Sequence, residues 1–301
     1  VPVHPWQAAH VLKGVLVEGA LNGPVAPDPF LDAHPLMSLR TLAVAGGAVP
    51  GPHVKTALSA RLTSSVRDIS VASIAASATL SAFGETLAAR CEGLLHITRT
   101  LGAATAHSPD LAAVLRESPD LYGAPGERVV PVAALATTSL PRTPGWTGRL
   151  ARLALRVGLR ALELGVALEA HGQNLLVVLS PAGEPLRLVY RDLADLRVSP
   201  ARLARHGVPV PDLPARMVTD DVTVLRRKLF GSLVAGALAG TAGSGPALRE
   251  ALETAVRDLP RTPDLAALCA EPLPAKALTL MRLSPLRPGD QWAALPNPLR
   301  M

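Results

Sequence analysis

The sequence predicts an α+β fold in which antiparallel sheets are flanked by helices. Three patterns support this prediction. Two apolar runs joined by a Pro/Gly turn, residues 175–190, are typical of a β-hairpin. Alternating polar and apolar residues over 54–63 predict a strand with one polar face. Apolar residues recur at helical spacing after Thr147 and predict a long helix that ends near Glu169.

The chain of 301 residues is long enough for two medium domains, and a Pro/Gly break at 141–145 divides it. We therefore expect one lobe over residues 1–145 and a second over residues 146–301. The elements expected in the first lobe are a helix (4–21), an extended segment (38–41), a strand segment (53–67), a helix (71–90), a polar stretch (106–127) and a strand (128–138). Those expected in the second lobe are the helix after Thr147 (to 169), the hairpin strands (175–179 and 186–190) and three helices (220–239, 247–259 and 275–283).

Polar side chains lie on both sides of the predicted hairpin. The segment Glu169-Ala170-His171-Gly172-Gln173-Asn174 precedes it, and Arg191-Asp192 follows it. Because a hairpin returns the chain beside its start, we expect Asp192 to lie near Asn174 and His171. Amide and carboxylate oxygens together suit a hard cation such as Mg²⁺, usually bound with nucleotide phosphates. The alternative is a polar loop with an ordinary hydrogen-bonded histidine.

A cationic surface is predicted in the first lobe. Period-two spacing places polar side chains on one face of a sheet, if two strands pair across the loop 46–52. These side chains are Ser38, Arg40, Lys55, Ser59, Arg61 and Thr63, with Arg67 just beyond. Arginine offers bidentate hydrogen bonds and lysine a point charge, so this face suits phosphate or a polycarboxylate. The alternative is the solvated outer face of an antiparallel sheet.

Ordered motifs along the whole chain carry a family resemblance. They are His4-Pro5-Trp6-Gln7, Ser38-x-Arg40-Thr41, Lys55-Thr56-x-Leu58, Thr63-Ser64-x-x-Arg67, Glu169-x-His171-Gly172-Gln173-Asn174, Arg191-Asp192, a helix over 276–282 and Asn297-Pro298-Leu299. With these motifs the chain resembles the siderophore synthetases that act independently of nonribosomal peptide synthetases, the aerobactin-synthetase (IucA/IucC) type. The resemblance implies a hand-like synthetase fold, with 1–145 as a fingers-like lobe and 146–301 as a palm-like lobe. Because members are longer, we expect a fragment that lacks the N-terminal thumb lobe and is inactive alone.

The resemblance implies a reaction in siderophore biosynthesis. These synthetases use ATP and Mg²⁺ to adenylate a carboxylate of citrate or a similar acid, and an amine or hydroxyl then displaces AMP. The residues that match the family's phosphate contacts are Ser38, Arg40, Thr41 and Lys55. Those that match its carboxylate or reacting-phosphate contacts are Thr63, Arg67 and His171. Those at the nucleotide are Glu169, Gln173, Asn174 and Asp192, and Glu169, Asn174 and Asp192 also match the metal ligands.

Composition limits the kinds of molecule that the protein is expected to bind. The net charge is +6 and the pI is near 10, but arginines are interleaved with acidic residues and no aromatic stacking platform accompanies them. We therefore expect small anionic substrates and no nucleic acid. The uncharged run 229–246 is short and broken by glycines, so it predicts a buried helix and no membrane span. Cys91 and Cys269 lie far apart and suit a reduced, cytoplasmic protein, which the family resemblance suggests is a homodimer.

Two other functions stay open at this stage. The order His171-x-x-Asn174, hairpin, Asp192 loosely resembles the catalytic loop and metal-binding aspartate of a kinase-like phosphotransferase. That hypothesis is disfavoured because no catalytic aspartate precedes Asn174 in this loop. The other is a degenerate binding protein related to ferric-siderophore reductases, whose cysteine cluster cannot form from two distant cysteines.

Overall fold

The computed structural model of the protein describes residues 1–12, 32–47, 49–62, 65–283 and 289–300, with only the backbone described for residues 61, 62 and 65. These residues form two compact units. The first unit consists of Val1–Ala78 and Arg99–Leu121, and the second of Thr79–Thr98 and Tyr122–Met301. The boundary between lobes near residue 145 stays a prediction.

The mixture of helices and mainly antiparallel sheets confirms the predicted α+β class. The strands are β1 Ala33–Pro35, β2 Thr41–Val44, β3 His53–Thr56, β4 Leu58–Leu62, β5 Ser65–Arg67, β6 Leu95–Ile97, β7 Thr100–Thr105, β8 Ala112–Arg116, β9 Arg128–Pro131, β10 Val166–Ala167, β11 Leu175–Leu179, β12 Pro185–Tyr190, β13 Arg197–Val198, β14 Leu273–Lys276 and β15 Trp292–Leu295. The α-helices are α1 Pro5–His10, α2 Val71–Ala75, α3 Ser77–Ala89, α4 Trp146–Leu164, α5 Pro200–Arg205, α6 Val222–Ser232, α7 Ala239–Ala242, α8 Gly245–Val256, α9 Pro263–Ala270 and α10 Leu278–Leu283.

The first unit is built on a five-stranded antiparallel sheet with the order β1-β2-β3-β8-β7. Strand β3 is central and buried at all four residues, so its side chains are shielded on both faces. Lys55 of β3 lies opposite Thr41 of β2. A separate hairpin, β4–β5, pairs Leu58 with Arg67.

The predicted cationic sheet face is wrong in two respects. Ser38 and Arg40 are not on a strand, because the amide of Thr41 bonds to the carbonyl of Ser38 at 3.0 Å and closes a tight turn before β2 begins. The alternation over 54–63 is divided between two sheets, since the chain leaves the large sheet after β3. Lys55 and Ser59 therefore do not share a strand face. Of the predicted helix 4–21, α1 is described, and residues 13–21 lie outside the described residues.

The second unit contains a four-stranded sheet with the order β6-β12-β11-β9. The predicted hairpin is confirmed as β11–β12, with Leu175 opposite Tyr190, while β6 adds to β12 in parallel. All five residues of β11 are buried. Leu176, Val178 and Val189 pack together on one face, and α4 contacts β12. Burial on both faces explains why the run is continuously apolar.

Helix α4 fixes the turn of this hairpin but ends earlier than predicted. The indole Nε1 of Trp146 donates to the carbonyl of Gly183 at 2.8 Å, and the ring is 1% exposed. The helix stops at Leu164 because Gly165 adopts a left-handed backbone with φ of +104°. Glu169 and His171 are therefore delivered by a loop after β10, and not by the helix itself.

Two other sequence predictions need correction. The strand predicted over 128–138 ends at Pro131, which cannot donate a ladder bond, and a 3-10 helix follows over Val132–Thr137. The helix predicted over 275–283 begins at Leu278, because Lys276 still pairs with Trp292 in the β14–β15 ladder.

The helix predicted over 220–239 is confirmed in the second unit. Asp221 caps α6 by accepting from two backbone amides, and the helix continues through a π-helical stretch, Leu233–Leu238, into α7. The apolar run expected to form a buried helix is in this segment, and Gly243 ends it. Among the described residues, none of the helices has the length and apolar character needed to cross a membrane.

Candidate functional site

The open end of the β11–β12 hairpin brings the polar motif residues of the second unit together. The Arg191 amide donates to the Asn174 carbonyl at 3.0 Å. Asp192 is therefore the residue that directly follows this hydrogen bond. The Arg191 guanidinium donates to the Gln173 carbonyl from Nε at 3.1 Å and from a terminal nitrogen at 2.9 Å. Asp192 has a left-handed backbone with φ of +72°, which is rare without glycine. Both sides of the hairpin base are thus tied together at the predicted position.

The loop that carries His171 is packed tightly at Gly172. The Gly172 carbonyl accepts from the Ala133 amide at 2.9 Å. A Cβ atom on Gly172 would lie 2.8 Å from the Ala133 nitrogen, closer than side chains approach backbone. Glycine is required here because the loop passes directly against the 3-10 helix. The contact fixes the backbone from which His171 and Gln173 extend.

His171 is held as a neutral imidazole. Burial lowers its pKa, and the cationic Lys276 and Arg191 lower it further, against the opposing charges of Glu169 and Asp192. Its Nδ1 accepts from the Gln173 amide at 3.3 Å, so the proton is on Nε2. The imidazole can therefore donate a hydrogen bond from Nε2 to an anionic oxygen.

Glu169 is the centre of a buried ion-pair cluster. Its Oε1 accepts from Lys276 Nζ at 2.8 Å and from Lys228 Nζ at 3.2 Å. The Lys228 side chain is 4% exposed and that of Glu169 is 11% exposed. Lys276 also pairs with Asp290 at 3.2 Å. Although burial opposes the charge on Lys276, Glu169 and Asp290 raise its pKa above the ordinary value. Two cations therefore meet one carboxylate in a water-poor region.

The two lysines are functional candidates that sequence reasoning did not assign. Lys276 was expected on a helix, and Lys228 had no expected role. The chain has four lysines among thirty basic residues, and two of the four converge on Glu169. The rarity of lysine in this arginine-rich chain was the one available signal. Nothing in the local spacing pairs residues so far apart along the chain.

The metal ligands expected from the family resemblance have different surroundings. Asn174 and Asp192 offer oxygen donors at the hairpin base, whereas the Glu169 carboxylate is bound by the two lysines. Within the part of the chain that the structure describes, no group of three or more His, Cys, Asp or Glu side chains could hold a metal ion. The donors at the base therefore fit Mg²⁺ that takes most of its ligands from phosphates and water, as Mg²⁺ commonly does.

In the first unit, the Ser38–Thr41 turn lies beside the end of β3. Thr41 Oγ1 donates to Ser38 Oγ at 3.2 Å. Thr41 is 5% exposed and Lys55, directly opposite it, is 6% exposed. The structure thus brings Ser38, Thr41 and Lys55 together, as expected for a phosphate-binding group. Burial of Thr41 and Lys55 removes the alternative of a solvated outer face for those two residues.

Arg40 links the turn to the end of the β4–β5 hairpin. Its guanidinium donates to the Asp68 carbonyl at 2.7 Å and also to the Arg67 carbonyl. Its own carbonyl accepts from the Thr56 amide at 2.9 Å. Arg40 therefore supports the position of Arg67, which the sequence assigned to substrate. Thr63, the third residue expected to contact substrate, lies outside the described residues, as does the side chain of Arg61.

The His4-Pro5-Trp6-Gln7 motif is structural. His4 caps α1 by accepting from the Trp6 amide at 3.1 Å, and Trp6 stacks on His10 with ring centroids 4.8 Å apart. Gln7 is fully buried and exchanges hydrogen bonds of 2.8 and 2.9 Å with Ser59 of β4. The motif anchors α1 to the β4–β5 hairpin.

Two family models match the chain in sequence. Residues 1–137 match the IucA / IucC family, and residues 145–244 match the family described as ferric iron reductase FhuF-like transporter. The uncharacterized protein y4xN of Sinorhizobium fredii is 26% identical over 272 residues, an alignment that covers 77% of this chain and 43% of that protein.

Two solved structures share the fold over nearly the whole chain. The petrobactin biosynthesis protein AsbB from Bacillus anthracis matches with a TM-score of 0.79 at 22% identity, over 99% of this chain and 59% of that one. The ATP-bound aerobactin synthetase IucA from Klebsiella pneumoniae matches with a TM-score of 0.74 at 20% identity, over 99% of this chain and 61% of that one. The chain thus spans about three fifths of each solved structure. Residues 1–137, a little under half of the chain, thus match the sequence model of the IucA / IucC family, and the chain as a whole shares the fold of both solved proteins.

Proposed function

We propose that the protein is an AMP-forming carboxylate ligase of siderophore biosynthesis. It would use ATP and Mg²⁺ to adenylate citrate or a citrate-like acid and condense the product with an amine or hydroxyl. The observation that carries this proposal is the hairpin base, where a neutral imidazole, two oxygen donors and a lysine-bound carboxylate lie in one place. The ATP-bound state of the related aerobactin synthetase supports the choice of nucleotide.

The second-unit residues would hold the metal and the reacting groups. Asn174 and Asp192 would ligate Mg²⁺ from one side, leaving its other positions to phosphates and water. The metal's chemistry here is to neutralise charge that develops on the phosphates. His171 would donate from Nε2 to an oxygen of the acid or of the α-phosphate. Gln173 would contact the nucleotide. Glu169 stays a predicted third metal ligand, and to bind the metal its carboxylate would have to release one of its two lysines.

The first-unit residues would bind anionic oxygens. Ser38, Thr41 and Lys55 form a compact set of two hydroxyls and an ammonium, suited to phosphate. Arg40 would add a guanidinium to the same phosphates. Arg67, with Thr63, would bind the carboxylate substrate. Cationic and hydroxyl donors that are fixed in advance stabilise charge without reorganising during the reaction. We expect this electrostatic stabilisation to contribute more to the rate enhancement than any other effect.

The chemistry needs no side-chain nucleophile. An oxygen of the substrate carboxylate attacks the α-phosphorus of ATP, and the bond to pyrophosphate breaks. The amine or hydroxyl then attacks the acyl carbon, the bond to AMP breaks, and the attacking atom loses its proton. A carboxylate is already ionised at neutral pH, so the protein has to position it and stabilise departing negative charge.

Product analysis separates this proposal from the alternatives. The full-length protein is incubated with ATP, Mg²⁺, hydroxylamine and a panel of di- and tricarboxylic acids, and Mg²⁺-ATP binding is measured by calorimetry. We expect acid-dependent pyrophosphate and AMP with formation of an acyl hydroxamate. Acid-dependent ADP would instead identify a phosphotransferase. Absence of Mg²⁺-ATP binding by the folded protein would contradict the proposal and favour a degenerate binding protein.

A further inference from the structure

A cavity in the second unit lies outside the residues assigned to the ligase reaction. Its volume is about 390 Å³, and it opens between α6 and the β14–β15 strands. Arg226, Arg227 and Phe230 line it from the helix, while Pro274 and Trp292 line it from the strands. This volume is within the range of cavities that bind small organic molecules. The lining combines two aromatic rings, two guanidinium groups and the Glu271 carboxylate, so it is neither a purely apolar nor a purely polar surface.

The charge of Arg226 is already compensated. Its Nε pairs with Asp264 Oδ1 at 2.8 Å, and a terminal nitrogen lies 3.5 Å from Glu271. Another terminal nitrogen donates to the Pro263 carbonyl at 3.1 Å. These partners fix the guanidinium as a rigid part of the wall. A ligand would gain little from a donor that is bound on all sides.

Arg227 has a different environment. Its guanidinium carbon lies 5.7 Å from the ring centroid of Trp292. No carboxylate among the described residues pairs with it. A guanidinium stacked over an aromatic face keeps its edge donors available for a carboxylate. The cavity therefore carries one stacked positive charge that the described residues leave uncompensated.

The position of the Trp292 ring is set by a glycine. A Cβ atom on Gly231 would lie 2.6 Å from Cζ3 of Trp292 and 3.1 Å from the Pro274 carbonyl oxygen. The ring therefore packs directly on the backbone of α6, one turn after Arg227. Substitution of Gly231 by alanine would displace the ring while leaving every charged group in place. A Gly231→Ala variant therefore tests the aromatic wall of the cavity separately from its charged groups.

We propose that this cavity binds an organic anion with one carboxylate and a flat apolar body, such as an aromatic acid. The carboxylate pairs with the edge of the Arg227 guanidinium, and the flat body lies against Trp292 and Phe230. Trp292 lies opposite Lys276 in the β14–β15 ladder, so the bound acid would lie beside the lysines that hold Glu169. The inference stands on the cavity itself and does not depend on the ligase reaction.

Titration with 2-naphthoate tests the proposal without any activity measurement. Binding is followed by calorimetry and by tryptophan fluorescence for the wild-type chain and for Arg227→Met, Gly231→Ala and the control Arg249→Met, an exposed arginine of α8. Circular dichroism melting checks that each variant is folded. The neutral analogue 2-naphthylmethanol has the same ring system without the charge.

We expect naphthoate to bind the wild-type and Arg249→Met chains equally and to bind Arg227→Met and Gly231→Ala at least ten-fold more weakly. The neutral alcohol should bind the wild type at least ten-fold more weakly than the acid. Equal binding of acid and alcohol, or unchanged binding to folded Arg227→Met, would overturn the proposal. So would the absence of naphthoate binding to the wild-type chain at millimolar concentration.

Discussion

The two candidate regions of this molecule are built in opposite ways. Around Glu169, the charged partners come from far along the chain, since Lys228 is 59 residues away and Lys276 is 107 residues away. Around Ser38–Thr41, the partners are local, because Thr41 bonds to a residue three positions away and Arg40 to a residue 27 positions away. One region depends on tertiary packing and the other on neighbouring turns and strands.

The comparison extends to how the charges are satisfied. Glu169 and its lysines form side-chain ion pairs in a buried environment. The Arg40 guanidinium instead donates to backbone carbonyls at the end of a hairpin. A buried ion pair is costly to break because the remaining charge loses its partner. A cation on backbone carbonyls can be removed with a smaller loss, because those carbonyls can bond to water. We therefore expect substitutions around Glu169 to cost more stability than substitutions around Arg40.

The largest effect is expected for Glu169→Ala. The substitution removes the carboxylate partner of Lys228, whose side chain is 4% exposed, whereas Lys276, at 30% exposed, keeps its pair with Asp290. Breaking a buried pair typically costs about 3–5 kcal/mol. Denaturant unfolding should show a loss of this order in the free energy of unfolding. Glu163→Ala is the matched control, because it removes an exposed glutamate whose pair with Arg160 spans one helical turn. Equal losses for the two variants would mean that the cluster has no special role in stability.

The next largest effect is expected for Arg67→Ala, and it should fall on activity. Loss of one charge-assisted contact to a substrate anion should cost about 1.5–3 kcal/mol, or about 10- to 100-fold in kcat/KM for adenylation. Stability should change little, because Arg40 bonds to the backbone of Arg67 and not to its side chain. Arg40→Ala is the comparison variant, and it should lose both ATP affinity and stability. Unchanged turnover in Arg67→Ala would remove this residue from the proposed site.

The same contrast explains what the sequence could predict. The hairpin at 175–190 is confirmed because its apolar runs and turn residues are adjacent in sequence. The end of α4 was predicted too late, since the apolar stripe continues past Gly165, where the left-handed backbone stops the helix. Lys276 was predicted to lie on a helix over 275–283, although a cross-strand partner decides its conformation.

The prediction of a single cationic sheet face was wrong for a related reason. A period-two pattern shows which residues alternate but not where a chain leaves its sheet, and here it leaves between Thr56 and Leu58. The pairing of Lys228 with Glu169 gave no local signal at all. The family motifs led to Asn174, Asp192 and the Ser38–Thr41 turn, whose functional roles stay predictions.

A smaller, pH-dependent effect is expected at His171. Burial holds its folded pKa below the unfolded value, so the unfolded state takes up the proton first as the pH falls. Stability should therefore be full above the unfolded pKa of about 6.5 and fall as the pH drops from there to the folded pKa, by less than about 1.4 kcal/mol per pH unit. Unfolding of wild type and His171→Gln between pH 7.5 and 5 measures the difference. Identical pH dependence would show that His171 is not held neutral by folding.

The smallest effect is expected at the outer end of the same hairpin. Arg149 pairs with Glu184 at 2.6 Å, but both side chains are more than 40% exposed, at 42% and 44%. Exposed pairs typically contribute about 0–1 kcal/mol, because solvent screens the charges and ordering two long side chains costs entropy. The turn is held independently by the buried bond from Trp146 to Gly183. Arg149→Met should therefore change the free energy of unfolding by less than about 1 kcal/mol, and Trp146→Phe, which loses the buried donor, by more. A larger loss for Arg149→Met than for Trp146→Phe would mean that surface charge holds this hairpin, against the contrast drawn from Glu169.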